Sequence, residues 1–215
     1  MPPGTRSLLD VGSGTGANAL ALTRRGFEVT CLCPSEQLNA MARRKLPSEV
    51  EIHTSTFEDF DSSVEFDICL FAESFHYIPL APALRQIARY GRQGAVIFDY
   101  FRRKAEHGVS PDSPRNTHAA FLKELERQGR LAIRSDEDLT EAIAPTFEVL
   151  DHLRNTHLAP FLRRARDHAR KAWPVRSFLI EKPIGRRLDR LQRPALRAAA
   201  FRRDLEYRLI TLAPV

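Results

Sequence analysis

Asp10, Gly12, Gly14 and Gly16 stand at alternate positions, closing the short apolar run that begins at Leu8. Glycine has no Cβ and tolerates φ > 0, so a turn of this composition brings bare backbone close to a ligand. The stretch from Ala17 to Arg25 follows at once and reads as a helix. The unpaired N–H groups at its start suit a carboxylate or a phosphate. Leu8 to Gly16 is therefore a nucleotide- or cofactor-binding turn. A second group with chemical capacity is Glu73-Ser74-Phe75-His76-Tyr77-Ile78. His76 is the best general base in the chain, because an imidazole titrates near neutrality. Tyr77 is suited to orienting an acceptor, and Glu73 to binding an acceptor amine or orienting His76. The structural alternative for His76 is a histidine at the start of a helix, packed on a sheet.

These groups need a scaffold, and the hydrophobic pattern supplies one. Strands are expected at Ser7–Val11, Phe27–Cys33, Val50–Thr54, Phe66–Phe71, Ala95–Asp99, Leu131–Ser135 and Leu205–Ala213. Helices are expected at Ala17–Arg25, stopped by Gly26; from an N-cap at Ser35 to about Lys45; at Pro82–Tyr90; and at Ala119–Gln128, closed by Gly129. Arg102–Thr117 reads as a loop. Strands that alternate with helices over short links imply an α/β fold, a Rossmann-like doubly wound and mostly parallel seven-stranded sheet. The glycine turn then follows the first strand, and His76 follows the fourth. Asp99-Tyr100-Phe101 after the fifth strand would line the acceptor pocket, and His118 would reach the site if the loop before it closed.

Two fingerprints overlap at the turn. Gly12-x-Gly14-x-x-Ala17 fits the dinucleotide pattern. The spacing Asp10-x-Gly12-x-Gly14-x-Gly16 is sharper and resembles motif I of the class I S-adenosylmethionine (SAM) methyltransferases. The resemblance continues through Pro34-Ser35-Glu36-Gln37-Leu38, Phe66 to Phe71 and Asp99, and covers about residues 7–138. It implies that Gly12, Gly14 and Gly16 cradle the methionine end of SAM, with Asp10 ordering the turn. It puts Ser35 and Gln37 near the ribose and Phe57 near the adenine. Two positions depart from the family pattern: Cys33 stands where an acid usually holds the ribose, and Thr56 where an acid usually meets the adenine. Gln37 could compensate at the first, as a glutamine does in cyclopropane fatty acid synthases of the same superfamily. Glu58 or Asp59 could compensate at the second.

From about Thr140 to Asp204 the pattern changes to helices punctuated by Pro145, Pro160, Pro174, Pro183 and Pro194. The expected organisation is residues 1–139 with 205–215 as the cofactor-binding domain, and 140–204 as a helical insertion between strands six and seven. With only six residues before strand one, this insertion is the candidate substrate lid; an outer layer or a homodimer interface is the other reading. Asp151 to Asp204 carries fifteen Arg or Lys against five Asp or Glu, within a net charge of +6 for the chain. Such a surplus steers anionic partners. Few aromatics interleave with it (Phe161, Trp173, Phe178, Phe201), which argues against a nucleic-acid stacking platform.

At 43% apolar and 28% charged residues the composition is that of an ordinary globular protein. No apolar run approaches the ~20 residues that span a membrane. No secretory signal is visible at Met1-Pro2-Pro3-Gly4, so a cytoplasmic location is expected. Cys31, Cys33 and Cys69 are expected to be reduced and buried, with no metal site. The function these readings imply is methyl transfer from SAM to a small-molecule acceptor, an anionic one if the basic segment steers it. The rivals are a catalytically degenerate binding protein of the same fold, with a protein or RNA partner, and an NAD(P)-dependent oxidoreductase.

Overall fold

The computed structural model describes residues 1–103, 116–143 and 205–215. The chain divides into two units, Met1–Leu139 with Glu206–Val215, and Thr140–Leu205. The first holds the sheet and is described below. The expected helices of 140–204 lie outside the described residues beyond position 143, as does most of the loop expected at 102–117.

The elements run β1 (Ser7–Val11), α1 (Ala17–Thr23), β2 (Glu28–Leu32), α2 (Glu36–Arg43), β3 (Ile52–His53), β4 (Ile68–Ala72), a 3₁₀ turn (Phe75–Tyr77), α3 (Leu80–Tyr90), β5 (Ala95–Arg102), α4 (His118–Gln128), β6 (Leu131–Asp138) and β7 (Leu205–Pro214). They form a seven-stranded sheet in the order β3-β2-β1-β4-β5-β7-β6. The pairs β1–β2, β2–β3, β1–β4 and β4–β5 are parallel, and β6–β7 is antiparallel. β5 and β7 also run in opposite directions. Gly94, just before β5, lies against Leu212 late in β7, while Phe98 and Tyr100 late in β5 meet Tyr207 early in β7. The sheet is thus the mostly parallel Rossmann-like sheet expected.

Every expected strand is present, and the differences lie at the ends. β3 shortens to two residues, whereas β5 and β6 extend by three residues each past the expected Asp99 and Ser135. α3 begins at Leu80, two residues earlier than expected, because Pro82 fits within a first helical turn, where its missing N–H costs nothing. α2 has the expected Ser35 cap, whose Oγ accepts from the Leu38 N–H at 3.3 Å.

Leu8 and Leu9 on β1 show how the core is built. Successive side chains point to opposite faces of a strand. Leu8 packs with Ala19, Val29, Cys31, Ala42 and Ile68, on the side of α1 and α2. Leu9 packs with Leu32, Phe71, Leu84, Ile87 and Phe121, on the side of α3 and α4. A strand covered on both faces must be apolar throughout, as this one is. No helix among the described residues is long and apolar enough to cross a membrane.

At the far end of β2, where the Cys33 N–H still pairs with the His53 carbonyl, a buried amide adds to the strand pairing. Asn39 on α2 donates from Nδ2 to the Cys33 carbonyl and to Thr54 Oγ1, both at 2.9 Å. These bonds join α2, the end of β2 and the segment after β3. Removing the amide leaves a buried carbonyl unpaired and opens a small cavity. Asn39→Ala should therefore lower unfolding stability by about 2–3 kcal/mol, measured by urea denaturation.

Candidate active site

The strand order reverses between β1 and β4, and in open α/β sheets ligands bind beyond the carboxyl ends of the strands at that point. A cleft of about 210 Å³ lies there. Val11 and Gly12 after β1, Leu32 and Pro34 after β2, Ser55 to Glu58 after β3, and Ser74, Tyr77 and Ile78 after β4 line it. Of the residues singled out in the sequence, Gly12, Thr56, Phe57, Glu58 and Tyr77 are on its wall.

The three glycines of the turn serve three purposes. Gly12 has φ 76°, and a Cβ there would fall 2.4 Å from Ser74 Cβ, so only glycine lets the turn touch the segment after β4. At Gly14 an added Cβ would meet only the Gly12 carbonyl, at 3.8 Å, leaving the backbone open on that side. Gly16 caps α1 and packs against Leu46 and Ala42 of the α2 region, away from the cleft.

Asp10 lies beneath the turn, 1% exposed, and its Oδ2 has no hydrogen-bond partner among the described residues. Burial pushes its carboxyl up to about 7. Ser13 Oγ is likewise buried and unpaired. Cys31 is beside them, its thiol pushed up to about 11, mainly by burial and then by the Asp10 charge. All three cysteines are free and buried, and no cluster of metal-ligating side chains occurs among the described residues.

The ribose and adenine candidates are largely occupied by local structure. Ser35 Oγ is the α2 cap, and Gln37 is exposed on that helix, off the cleft wall. Cys33 is buried, its carbonyl held by Asn39. Thr56 Oγ1 is engaged with Asp59, donating to Oδ2 at 2.9 Å and accepting from its N–H at 3.2 Å. Phe57 is 2% exposed and stacks edge-on against Phe71, so it forms the apolar floor.

The second group gathers around Asp99, which is fully buried. Its Oδ2 accepts from the N–H groups of Phe75 at 2.6 Å and His76 at 3.2 Å. Its Oδ1 accepts from the Tyr100 N–H and contacts His76 Nδ1, both at 2.8 Å. Three backbone donors make both carboxylate oxygens acceptors, so the shared proton belongs on Nδ1. Nε2 of the neutral ring then carries the lone pair. That nitrogen is buried with no partner, an exception among buried polar atoms. The rings of Tyr77 at 3.9 Å and Tyr100 at 4.4 Å lie over the imidazole. Tyr77 is 58% exposed.

Glu73 has φ 58°, the one positive φ at a non-glycine among the described residues. Its Oε1 accepts from Tyr207 Oη at 3.1 Å. Ser74 donates from Oγ to the Val11 carbonyl and so ties this segment to the glycine turn. Two expectations are corrected. Phe101 does not line a pocket: it alternates on β5 into the core, with Phe75 and Phe121. His118 is committed to Asp136, Nε2 to Oδ2 at 2.7 Å, instead of joining His76. The sequence reading missed the Asp99 contact to His76, and it missed Tyr207 altogether.

Comparison with known proteins agrees with the fold. Residues 9–98 match the family model of a methyltransferase domain. Over 100 residues the chain is 33% identical to an uncharacterised methyltransferase of Mycobacterium bovis and to one of Mycobacterium tuberculosis, 45% of this chain and 40% of each relative. The chain thus spans well under half the length of these relatives. Among solved structures it resembles a cyclopropane synthase from Mycobacterium tuberculosis (TM-score 0.65, 14% identity, 99% of this chain and 79% of that one). It also resembles a geranyl diphosphate C-methyltransferase from Streptomyces coelicolor (TM-score 0.64, 16% identity, 98% and 74%). These likenesses show a shared fold.

A buried carboxyl raised to about 7 binds more protons in the folded than in the unfolded state between about pH 4 and 7. Stability therefore falls as pH rises through that window and levels off above it. At about 1.4 kcal/mol per pH unit, a carboxyl raised from 3.8 to about 7 should cost the ligand-free protein about 4 kcal/mol by pH 8. Asp10→Asn removes this dependence. Urea unfolding at pH 4.5 and pH 8 should show the variant gaining on the wild type at the higher pH.

Proposed function

We propose that the protein is a class I SAM-dependent methyltransferase that transfers a methyl group from SAM to a small-molecule acceptor, a reading supported by the match of residues 9–98 to the methyltransferase domain model. The observation that carries the catalytic reading is the His76–Asp99 pair, with an unpartnered Nε2 beside the cleft. When bound, SAM supplies an electrophilic methyl group on a sulfonium.

The residues present fit that cofactor. The unpaired Asp10 Oδ2 and Ser13 Oγ and the open backbone at Gly14 suit the polar methionine end. Leu32, Pro34 and Phe57 offer an apolar wall to the adenine. Gly12 and Gly16 shape the turn. Ser35 and Gln37 at the start of α2, and Cys33 and Thr56 in the segments after β2 and β3, are the residues proposed for the ribose and adenine neighbourhood. The carboxylates missing at Cys33 and Thr56 leave Glu58, on the cleft wall, as the nearest acid.

His76 then acts as general base. Asp99 fixes its tautomer and orientation, and Nε2 takes a proton from the acceptor. Tyr77 packs its ring on the imidazole and, being exposed, is the group that yields to an incoming acceptor and orients it. The basic surplus in the sequence of residues 151–204 favours partners that carry an anionic group.

Titration calorimetry with SAM, its demethylated product, NAD and NADP tests the cofactor. SAM or product should bind in the micromolar range, about −8 kcal/mol, and the nicotinamide cofactors should not. Gly14→Arg, which fills the open side of the turn, should abolish that binding while the protein stays folded by circular dichroism. Retained binding in this variant would overturn the assignment of the turn. His76→Ala should keep product affinity and lower turnover by about 10²–10⁴.

A further inference from the structure

We propose that the acceptor group is an amine, received in its ammonium form against Glu73 and the aromatic faces of Tyr77 and Tyr100. This inference rests on the methyl-transfer reading and names the substrate class for the same site. Three observations carry it.

First, Glu73 occupies a left-handed backbone conformation that glycine adopts freely and other residues avoid. Its side chain is exposed, so core packing does not explain glutamate there. Glu73 directly precedes Ser74 of the cleft wall, and strained backbone beside a cleft marks a side chain kept for function. Second, the carboxylate is aimed: Tyr207 holds Oε1 from below, with the Tyr207 ring wedged between Phe98 and Tyr100. Third, the pocket has one electrostatic sign. The charges acting on Tyr100 are those of Asp99, Tyr77 and Glu73, and those acting on Tyr207 are Glu73, Asp99 and Tyr100. With burial as the larger cause, they hold both phenols above their usual range and therefore neutral.

Phenol and imidazole rings around carboxylates attract a cation through the negative faces of the rings and by direct charge. An anionic or strongly acidic acceptor would meet repulsion there. An ammonium must lose a proton before its nitrogen can act as a nucleophile. That proton passes from nitrogen to His76 Nε2: the N–H bond breaks, an Nε2–H bond forms, and the electron pair stays on the acceptor nitrogen. The imidazolium so formed is stabilised by Asp99 at Nδ1.

The probe is benzylamine, with benzyl alcohol and benzoate as neutral and anionic controls of similar size. Each is titrated into the full chain saturated with the demethylated cofactor product. Benzylamine should bind at least about tenfold more tightly than either control, the size of one charge-assisted hydrogen bond. Glu73→Gln should remove about tenfold of the amine affinity and leave product affinity unchanged. Glu73→Gly, which relieves the backbone and removes the carboxylate, should lose the same affinity without a lower melting temperature. Benzoate or benzyl alcohol binding as well as benzylamine, no benzylamine binding to the product-loaded protein, or full amine affinity in both variants would each overturn the inference. Failure of the wild type to bind the product would instead overturn the methyl-transfer reading beneath it.

Discussion

The site depends on the hydrogen bonds that converge on the Asp99 carboxylate. A fully buried charge is costly unless nearly every lone pair is engaged. Here three backbone N–H groups and one imidazole N–H engage it. The donors come from the 3₁₀ turn after β4 and from β5 itself, so the carboxylate joins the ends of two neighbouring strands. The pairing of Ala72 with Phe98 sets this meeting. A slip of one residue would turn Asp99 to the opposite face of the sheet and leave His76 without its orienting partner.

The same segment reaches the other way. Ser74, two residues before His76, is bonded to the Val11 carbonyl and packed where a Gly12 side chain would stand. The turn that would hold the cofactor and the base that would act on the acceptor therefore belong to one hydrogen-bonded unit, with no flexible link between them. Reacting groups gain most when their relative placement is settled before binding. The exposed Tyr77 ring over His76 is the adjustable part, since everything beneath it is tied to Asp99.

How much of this was legible in the sequence depends on the range of the interaction. The strand, glycine turn and helix of Leu8 to Thr23 are local, and the residue pattern encodes them directly. His76 stands out in the sequence because imidazole after a strand is informative by residue type. Its bond to Asp99 does not, because it spans 23 residues and exists only through strand register. The Tyr207–Glu73 contact spans 134 residues and joins the last strand to the fourth. Thr56 and Ser35 illustrate the opposite problem: their hydroxyls are used within a few residues, in a turn and a helix cap. Such local bonds compete with ligand contacts for the same atoms. Phe101 was misplaced because β5 runs three residues past its expected end, so alternation carries that ring into the core.

The distribution of charge divides the cleft into two chemistries. On the β2 and β3 side the wall is Leu32, Pro34 and Phe57, and the position where an acid is common in the fold holds Cys33, backed by a neutral amide. On the β1, β4 and β5 side sit Asp10, Asp99 and Glu73, two of them buried. An apolar wall takes a flat ring by excluding water and discriminates weakly among rings. Buried carboxylates discriminate strongly, because an unmatched charge there stays uncompensated. On the proposed methyl-transfer reading, selectivity would be concentrated on the carboxylate side, at the glycine turn and beside His76, and the nucleoside end would depend chiefly on shape.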